Sequence, residues 1–319
     1  MNYQKLYECL FCAVRTAGIV ANMMQATIVN EGKQVEVVED EDERHLRMRE
    51  AKTRADEIVQ EILLQSVLPE YQAVLSLDVE EDTASRTCFL KQDYDYTLVL
   101  DPIDGTLDYL HQKDTWSICS AILHEHDVRL AIVYFPKRDI MYTYVEGVGC
   151  RVYHRLKQCT AADGEVLSVQ CDNTPSVVYK NSRLSQDIVQ QLWERGFQVV
   201  DDSEQELGCP DAILACMRGE GLAYFSDTRN IRDILLGAIL SKLENGHAYD
   251  YAGNAARWAS HGRQKEIVFS IFEKNQIFFK INMNLVQIKK IRISFQLFNR
   301  KMLKIYPLKN ISNISFHIS

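Results

Sequence analysis

The chain predicts an α/β layered sandwich, and three features of its 319 residues carry that prediction. Apolar residues recur at helical spacing over residues 3–26 and again from Thr53 to Leu68. Alternating and continuous apolar runs from Tyr96 to His154 read as strands joined by short turns. From Ser185 onward short helices and short strands take turns, the pattern of an α/β unit. At 46% hydrophobic the sequence can bury a sizeable core, as one large domain or two closely packed halves. The expected organisation is an N-terminal α+β half over 1–182, a C-terminal α/β half over 183–270, and an atypical basic tail over 271–319.

The first helix places Leu6, Leu10, Val14, Ala17, Ala21 and Met24 on one stripe. Cys9 and Cys12 lie in it as a C-x-x-C with no second pair, which reads as buried structural thiols rather than redox or zinc chemistry. Residues 32–50 lose all apolar period and carry Glu39-Asp40-Glu41-Asp42-Glu43-Arg44, a solvated mobile loop. Helical spacing resumes through Ile58, Ile62, Leu63 and Val67, with Thr53 as N-cap and Pro69 as the stop. Asp56 falls in the first turn, where an acidic side chain complements the helix dipole. Ala73 to Leu77 reads as a strand running into Asp78-Val79-Glu80-Glu81-Asp82.

Tyr96 to Thr106, YTLVLDPIDGT, is the stretch that carries chemistry. A β-branched and apolar run, buried on both faces, ends at Asp101; Pro102 cannot donate to a ladder and Gly105 frees the backbone to turn. Asp101 and Asp104 can then share one hard cation such as Mg²⁺, Mn²⁺ or Ca²⁺, with the Thr106 hydroxyl beside it. The competing interpretation is an ordinary Asp-Pro-Gly turn.

Beyond it, residues 116–123 and 128–135 form one hairpin around His124-Glu125-His126-Asp127, and residues 141–145 and 150–154 form another around Glu146-Gly147-Val148-Gly149. His124 and His126 read as turn residues, not ligands. The second half alternates helix 185–195, strand 197–200, helix 210–218, strand 222–225, helix 230–243 and a last strand near 266–269. Asp233 sits among Ile231, Ile234, Leu235 and Leu236, beside a buried face.

Charge is divided unevenly. The formal total is −8, yet residues 271–319 hold seven Lys, two Arg and one Glu, so the first 270 residues carry −16. An acidic body argues against nucleic acid as a partner and suits a site that concentrates cations. The tail lacks Gly, Ala, Asp and Thr and reads as a poorly ordered appendage or a non-native reading frame. Nine scattered cysteines, no leader pattern and no uninterrupted apolar run of membrane-spanning length predict a soluble, cytoplasmic protein with no membrane partner.

Asp101-Pro102-Ile103-Asp104-Gly105-Thr106 resembles the signature of the inositol monophosphatase and fructose-1,6-bisphosphatase superfamily of metal-dependent phosphatases. Thr53-Arg54-Ala55-Asp56 is similar to that family's T-x-x-D, Val79-Glu80-Glu81 to its G-E-E, and Arg232-Asp233-Ile234-Leu235-Leu236-Gly237 to its W-D-x-x-x-G, in the family's order. The resemblance covers about residues 3–270 and implies an α-β-α-β-α sandwich with a metal site between its halves. It implies two or three Mg²⁺ ions, with Mn²⁺ as a substitute, held by Glu80, Asp101, the Ile103 carbonyl, Asp104 and Asp233, with Asp56 peripheral. Glu80, Thr106 and Asp104 would be the catalytic residues, and Gly105, Thr106, Ser226 and Asp227 would meet the substrate. The implied reaction is hydrolysis of a small phosphorylated metabolite by a metal-activated water, and dimers are common among relatives, so a homodimer is one option that the sequence alone does not fix.

Three positions depart from the family pattern. Val79 replaces the glycine of G-E-E, Arg232 replaces the tryptophan before the late aspartate, and Ser226 stands where inositol-specific members carry an acidic residue. Arg229 and Arg232 read as surface, or as the anchor of a second phosphate. The alternative function is therefore a catalytically silent member that binds a phosphorylated ligand or a protein.

Overall fold

The computed structural model describes residues 1–32, 46–47, 51–89, 95–169, 175–203, 207–228, 230–264 and 266–272. The acidic run at 39–44 and the tail beyond residue 272 lie outside the described residues. Ile271 and Phe272, assigned to the tail from sequence, are each 8% exposed, and the Phe272 N–H donates to Ser270 Oγ at 2.9 Å.

Helices α1 (Tyr3–Met24) and α2 (Arg54–Tyr71) pair with each other and lie on one face of a seven-stranded sheet. Of the stripe expected from spacing, Leu6, Leu10, Val14, Ala17 and Ala21 are fully buried in that core, and Met24, in the last turn, packs half-buried against it. Burial of each leucine- or valine-sized side chain stabilises the fold by about 1.5–3 kcal/mol, so the stripe sets where α1 docks. Two local expectations fail here. Pro69 lies within the last turn of α2 rather than ending it; the helix forgoes the bond that a residue 69 N–H would have made and stops two residues later, at Tyr71. Cys12 is exposed and Cys9 half-buried, both free thiols on the outer flank of α1. The segment Tyr3–Thr27 is long and apolar enough, by length and composition, to cross a membrane, although Lys5, Glu8 and Arg15 interrupt the run in sequence. In this fold its apolar stripe lies against α2 and the sheet.

The sheet orders β1 (Leu75–Val79), β2 (Tyr96–Asp104), β3 (Ser117–His124), β4 (Asp127–Phe135), β5 (Ile140–Val145), β6 (Gly149–His154) and β7 (Glu165–Val166) side by side. β1 and β2 are parallel, and every later neighbour is antiparallel. Strand β3 is buried at seven successive positions, because helices cover both faces. β5 alternates strictly between buried and half-buried residues.

A second sheet has the order β11 (His247–Asp250), β12 (Ile267–Ser270), β10 (Ala223–Ser226), β8 (Val177–Lys180), β9 (Gln198–Asp201). β8, β9 and β10 run parallel, and β12 is antiparallel to β10 and β11. Between the sheets lie α5 (Cys209–Met217) and α6 (Leu235–Leu240), and α4 (Gln186–Glu194) covers β9. The layers are thus α-β-α-β-α. Gly237 makes the middle layer possible: a Cβ there would stand 2.6 Å from the Phe269 ring on β12. The helix expected over 230–243 is shorter, a 3₁₀ turn (Ile231–Ile234) leading into α6, since Ile234 at φ −131°, ψ 20° leaves helical geometry.

Candidate active site

Because β1 and β2 run parallel, their carboxyl ends lie side by side, with Glu80 directly after β1. Strand β2 does not stop at Asp101, as Pro102 suggested, but continues to Asp104. Its register against β3 shifts between Asp101 and Asp104, and this bulge accommodates a proline that has no N–H to donate. Gly105 follows at φ 88°, a left-handed conformation that favours glycine, and caps the short helix α3 (Thr106–Leu110). The first N–H groups of that helix have no intrahelical acceptor.

Asp233 arrives from the other side on the 3₁₀ turn, where Thr228 Oγ1 donates to its Oδ2 at 2.7 Å. Glu80, Asp101, Ile103, Asp104, Gly105, Thr106, Ser226 and Asp233 all line one cavity of ≈ 530 Å³. Asp227 is not among the lining residues; its neighbours Ser226 and Thr228 are. Asp56 does not line the cavity either, being only 1% exposed. Its Oδ2 accepts from the Thr53 N–H at 2.8 Å and from Thr53 Oγ1 at 2.7 Å, closing a capping box on α2. The other oxygen reaches the site through Thr106, whose Oγ1 is 3.3 Å from Asp56 Oδ1 and 3.1 Å from the Ile103 carbonyl. Neighbouring Glu81 is turned elsewhere: Lys52 Nζ lies 3.0 Å from its carboxylate, and Gln60 binds its main chain on both sides.

Burial raises the carboxyl pKa values of Asp56, Asp101, Asp104 and Asp233, and like charge adds to it. Asp104 is pushed up to about 8 by desolvation and by Asp233, against a lowering hydrogen bond from Ser117 at 3.2 Å. Asp101 is pushed well above the ordinary carboxylate range by burial, then by Glu80 and Asp104. Asp233 moves the same way, chiefly through burial. Asp56 rises to about 7, again through burial first.

The donor set is all oxygen, from four carboxylates and a carbonyl, which suits a hard divalent cation. Asp101 Oδ1 is buried with no hydrogen-bond partner, an arrangement worth about 1–3 kcal/mol of penalty unless a cation or proton meets it. Among the described residues no three His, Cys, Asp or Glu side chains stand close enough together to hold an ion as they are placed. The residues fit the ion in chemistry and in the open valence of Asp101.

Sequence reasoning missed the opposite wall. Asn181, Arg183, Asp202 and Cys209 line the cavity, the first three from loops that follow β8 and β9. The available signal was topological, because ligands gather at the carboxyl ends of parallel strands, but β8 has only four residues, two of them half-buried, and no continuous buried run to mark it. Asp202 is 7% exposed, accepts from the Tyr224 hydroxyl at 2.8 Å, and is raised to about 7 by burial. Arg232 is not a surface residue: its side chain is 17% exposed, and Nη1 stands 3.3 Å from Asp78 Oδ1. Arg229 lies outside the described residues.

A family model described as the inositol monophosphatase family matches residues 2–268. The 3'(2'),5'-bisphosphate nucleotidase CysQ of Shigella flexneri is 22% identical over 168 residues, 51% of this chain. The match spans 63% of that relative's length, less than two-thirds. Among solved structures, a staphylococcal IMPase-I complexed with products is 15% identical with a TM-score of 0.62, covering 89% of this chain and 97% of its own. An IMPase/NADP phosphatase complexed with Mg²⁺ and phosphate is 15% identical with a TM-score of 0.61, covering 88% of this chain and 96% of its own. At such identity the structural likeness speaks to the fold.

Proposed function

The chain belongs to the inositol monophosphatase family, and from that premise we propose that it is a divalent-metal-dependent phosphomonoesterase acting on a small phosphorylated metabolite. The observation that carries the proposal is the convergence of Glu80, Asp101, Asp104 and Asp233 on one cavity, with Asp101 Oδ1 buried and unpartnered. Glu80, Asp101, the Ile103 carbonyl, Asp104 and Asp233 would hold Mg²⁺, with Mn²⁺ as a substitute and two or three ions in all. Bound there, the metal supplies charge neutralisation of the phosphoryl oxygens and a lowered pKa for its water.

The chain's own groups do the rest. The Gly105 and Thr106 amides offer donors to phosphate oxygens where α3 begins. Asp56, held by two bonds from Thr53, anchors the Thr106 hydroxyl, whose remaining lone pair is open to a proton of the attacking water. Glu80 is the acceptor for the water's other proton. The opposite wall of Asn181, Arg183, Asp202 and Ser226 surrounds the alcohol portion of the substrate, and Ser226 in place of an acidic side chain disfavours inositol. The substrate class spans sugar, nucleotide and inositol phosphates, with inositol the least favoured of the three.

A second reading, a silent member that binds a phosphorylated ligand without turning it over, is favoured by one feature, the guanidinium of Arg232 buried beside the carboxylates. Phosphate release from a panel of sugar, inositol and nucleotide phosphates, with and without Mg²⁺, separates the two. Metal binding without turnover on any of them sinks the enzyme.

A further inference from the structure

Arg232 directly precedes Asp233 in the 3₁₀ turn, at the position where the family pattern carries tryptophan. Its guanidinium is held at one corner by Asp78 Oδ1 at 3.3 Å. Asp78 is itself 8% exposed, and its Oδ2 accepts the His261 N–H at 2.6 Å, so the anchor is fixed from two sides. Asp78 pairs with Val99 across β1 and β2, so its anchor point lies beside Glu80 and Asp101, each two residues further along its strand, while Asp233 is the very next residue, and the charges of all three carboxylates act on the guanidinium. No hydrogen bond joins Arg232 to Asp101, whose Oδ1 stays unpartnered. The cation therefore acts on the cluster through space and leaves the ligand atom open.

A positive charge fixed in this way has two consequences. It lowers the repulsion among Asp101, Glu80 and Asp233 when no other cation is near, because the low local dielectric lets unlike charges act over several ångströms. It also repels an incoming divalent ion from the same oxygens. An arginine cannot lose its proton to relieve that conflict. Building on the metal-site reading above, we propose that Arg232 is a resident counter-cation of the carboxylate cluster, stabilising the metal-free site and competing with divalent ions for its charge.

The test uses the full chain stripped with EDTA, and compares wild type with Arg232→Met, which keeps the length without the charge, and Arg232→Lys, which keeps the charge. Mn²⁺ binding is measured by titration calorimetry, and thermal unfolding is followed in EDTA and in Mn²⁺. The expected result is at least about tenfold tighter Mn²⁺ binding in Arg232→Met, a lower Tm in EDTA, and a larger Tm gain on adding Mn²⁺, with Arg232→Lys close to wild type. Unchanged or weaker Mn²⁺ binding in Arg232→Met overturns the inference. A methionine variant that folds only with Mn²⁺ supports it; one that folds in neither condition is replaced by Arg232→Gln, judged by the same two readouts. If neither wild type nor variants bind Mn²⁺, the metal-site reading fails, and the melting points in EDTA alone decide the role of Arg232: a loss that lysine restores upholds its stabilising half, and equal melting points refute it.

Discussion

Replacing Asp104 by asparagine should make the metal-free protein more stable while abolishing turnover. The carboxyl is buried, faces Asp233, and has its pKa raised to about 8, whereas in the unfolded chain it would ionise near 3.8. Its sign is the reverse of a salt-bridged aspartate: the folded state holds the proton more tightly, so stability falls as pH rises from about 4 to 8. Keeping the group neutral at pH 7 costs the fold up to about 4 kcal/mol, at about 1.36 kcal/mol per pH unit. Asparagine carries the neutral state at every pH and still offers an oxygen to Ser117, so it should recover about 1–3 kcal/mol after neighbouring groups relax. At about 2–4 °C per kcal/mol for a protein of this size, Tm measured in EDTA at pH 7 should rise by several degrees. Phosphate release in Mg²⁺ should fall by about a thousandfold or more, because a neutral amide cannot replace a charged ligand. A lower Tm in EDTA, or retention of more than about a tenth of the turnover, would refute the reasoning that places Asp104 as a strained, charge-bearing ligand.

Two further perturbations probe parts of the site that act differently. Thr106→Val removes the hydroxyl between Asp56 Oδ1 and the Ile103 carbonyl, and kcat should drop about a hundredfold with KM little changed; a KM effect alone would assign Thr106 to binding. Asp202 has its pKa raised to about 7 by burial, so its ionisation destabilises the fold as pH climbs from about 4 to 7. Asp202→Asn keeps an acceptor for Tyr224 and should flatten the fall in Tm over that window; an unchanged pH profile would show that this carboxyl does not titrate there.

The Asp101–Gly105 turn was readable because its pattern is local: a strand, a proline, a glycine and two aspartates adjoin one another, and both aspartates line one cavity. The helical stripe of α1 and the β3–β6 hairpins were equally legible, since periodicity reports burial directly. The bulge that carries β2 on to Asp104 was not, because it arises from pairing with β3. Nor was the partnership of Asp78 and Arg232, two residues 154 positions apart with no pattern to link them. Strands β8 and β11 were not legible either, because each ends in a charged residue and is partly or wholly half-buried, lacking the continuous buried apolar run that marks β10 and β12, and with β8 went the loops that bring Asn181 and Arg183 to the cavity. Asp56 was legible as an acidic residue in the first turn of α2, whereas its capping box with Thr53 and its link to Thr106 depend on side-chain geometry and on how α2 lies against β2.

The most direct test of the central claim is phosphate release by the EDTA-treated full chain, assayed on sugar, inositol and nucleotide phosphates before and after Mg²⁺ is restored. The account predicts turnover of at least one of them that appears with Mg²⁺, disappears again with chelator, and is absent in Asp104→Asn. Turnover that ignores Mg²⁺, or Mg²⁺ binding with no turnover on any substrate, would contradict it.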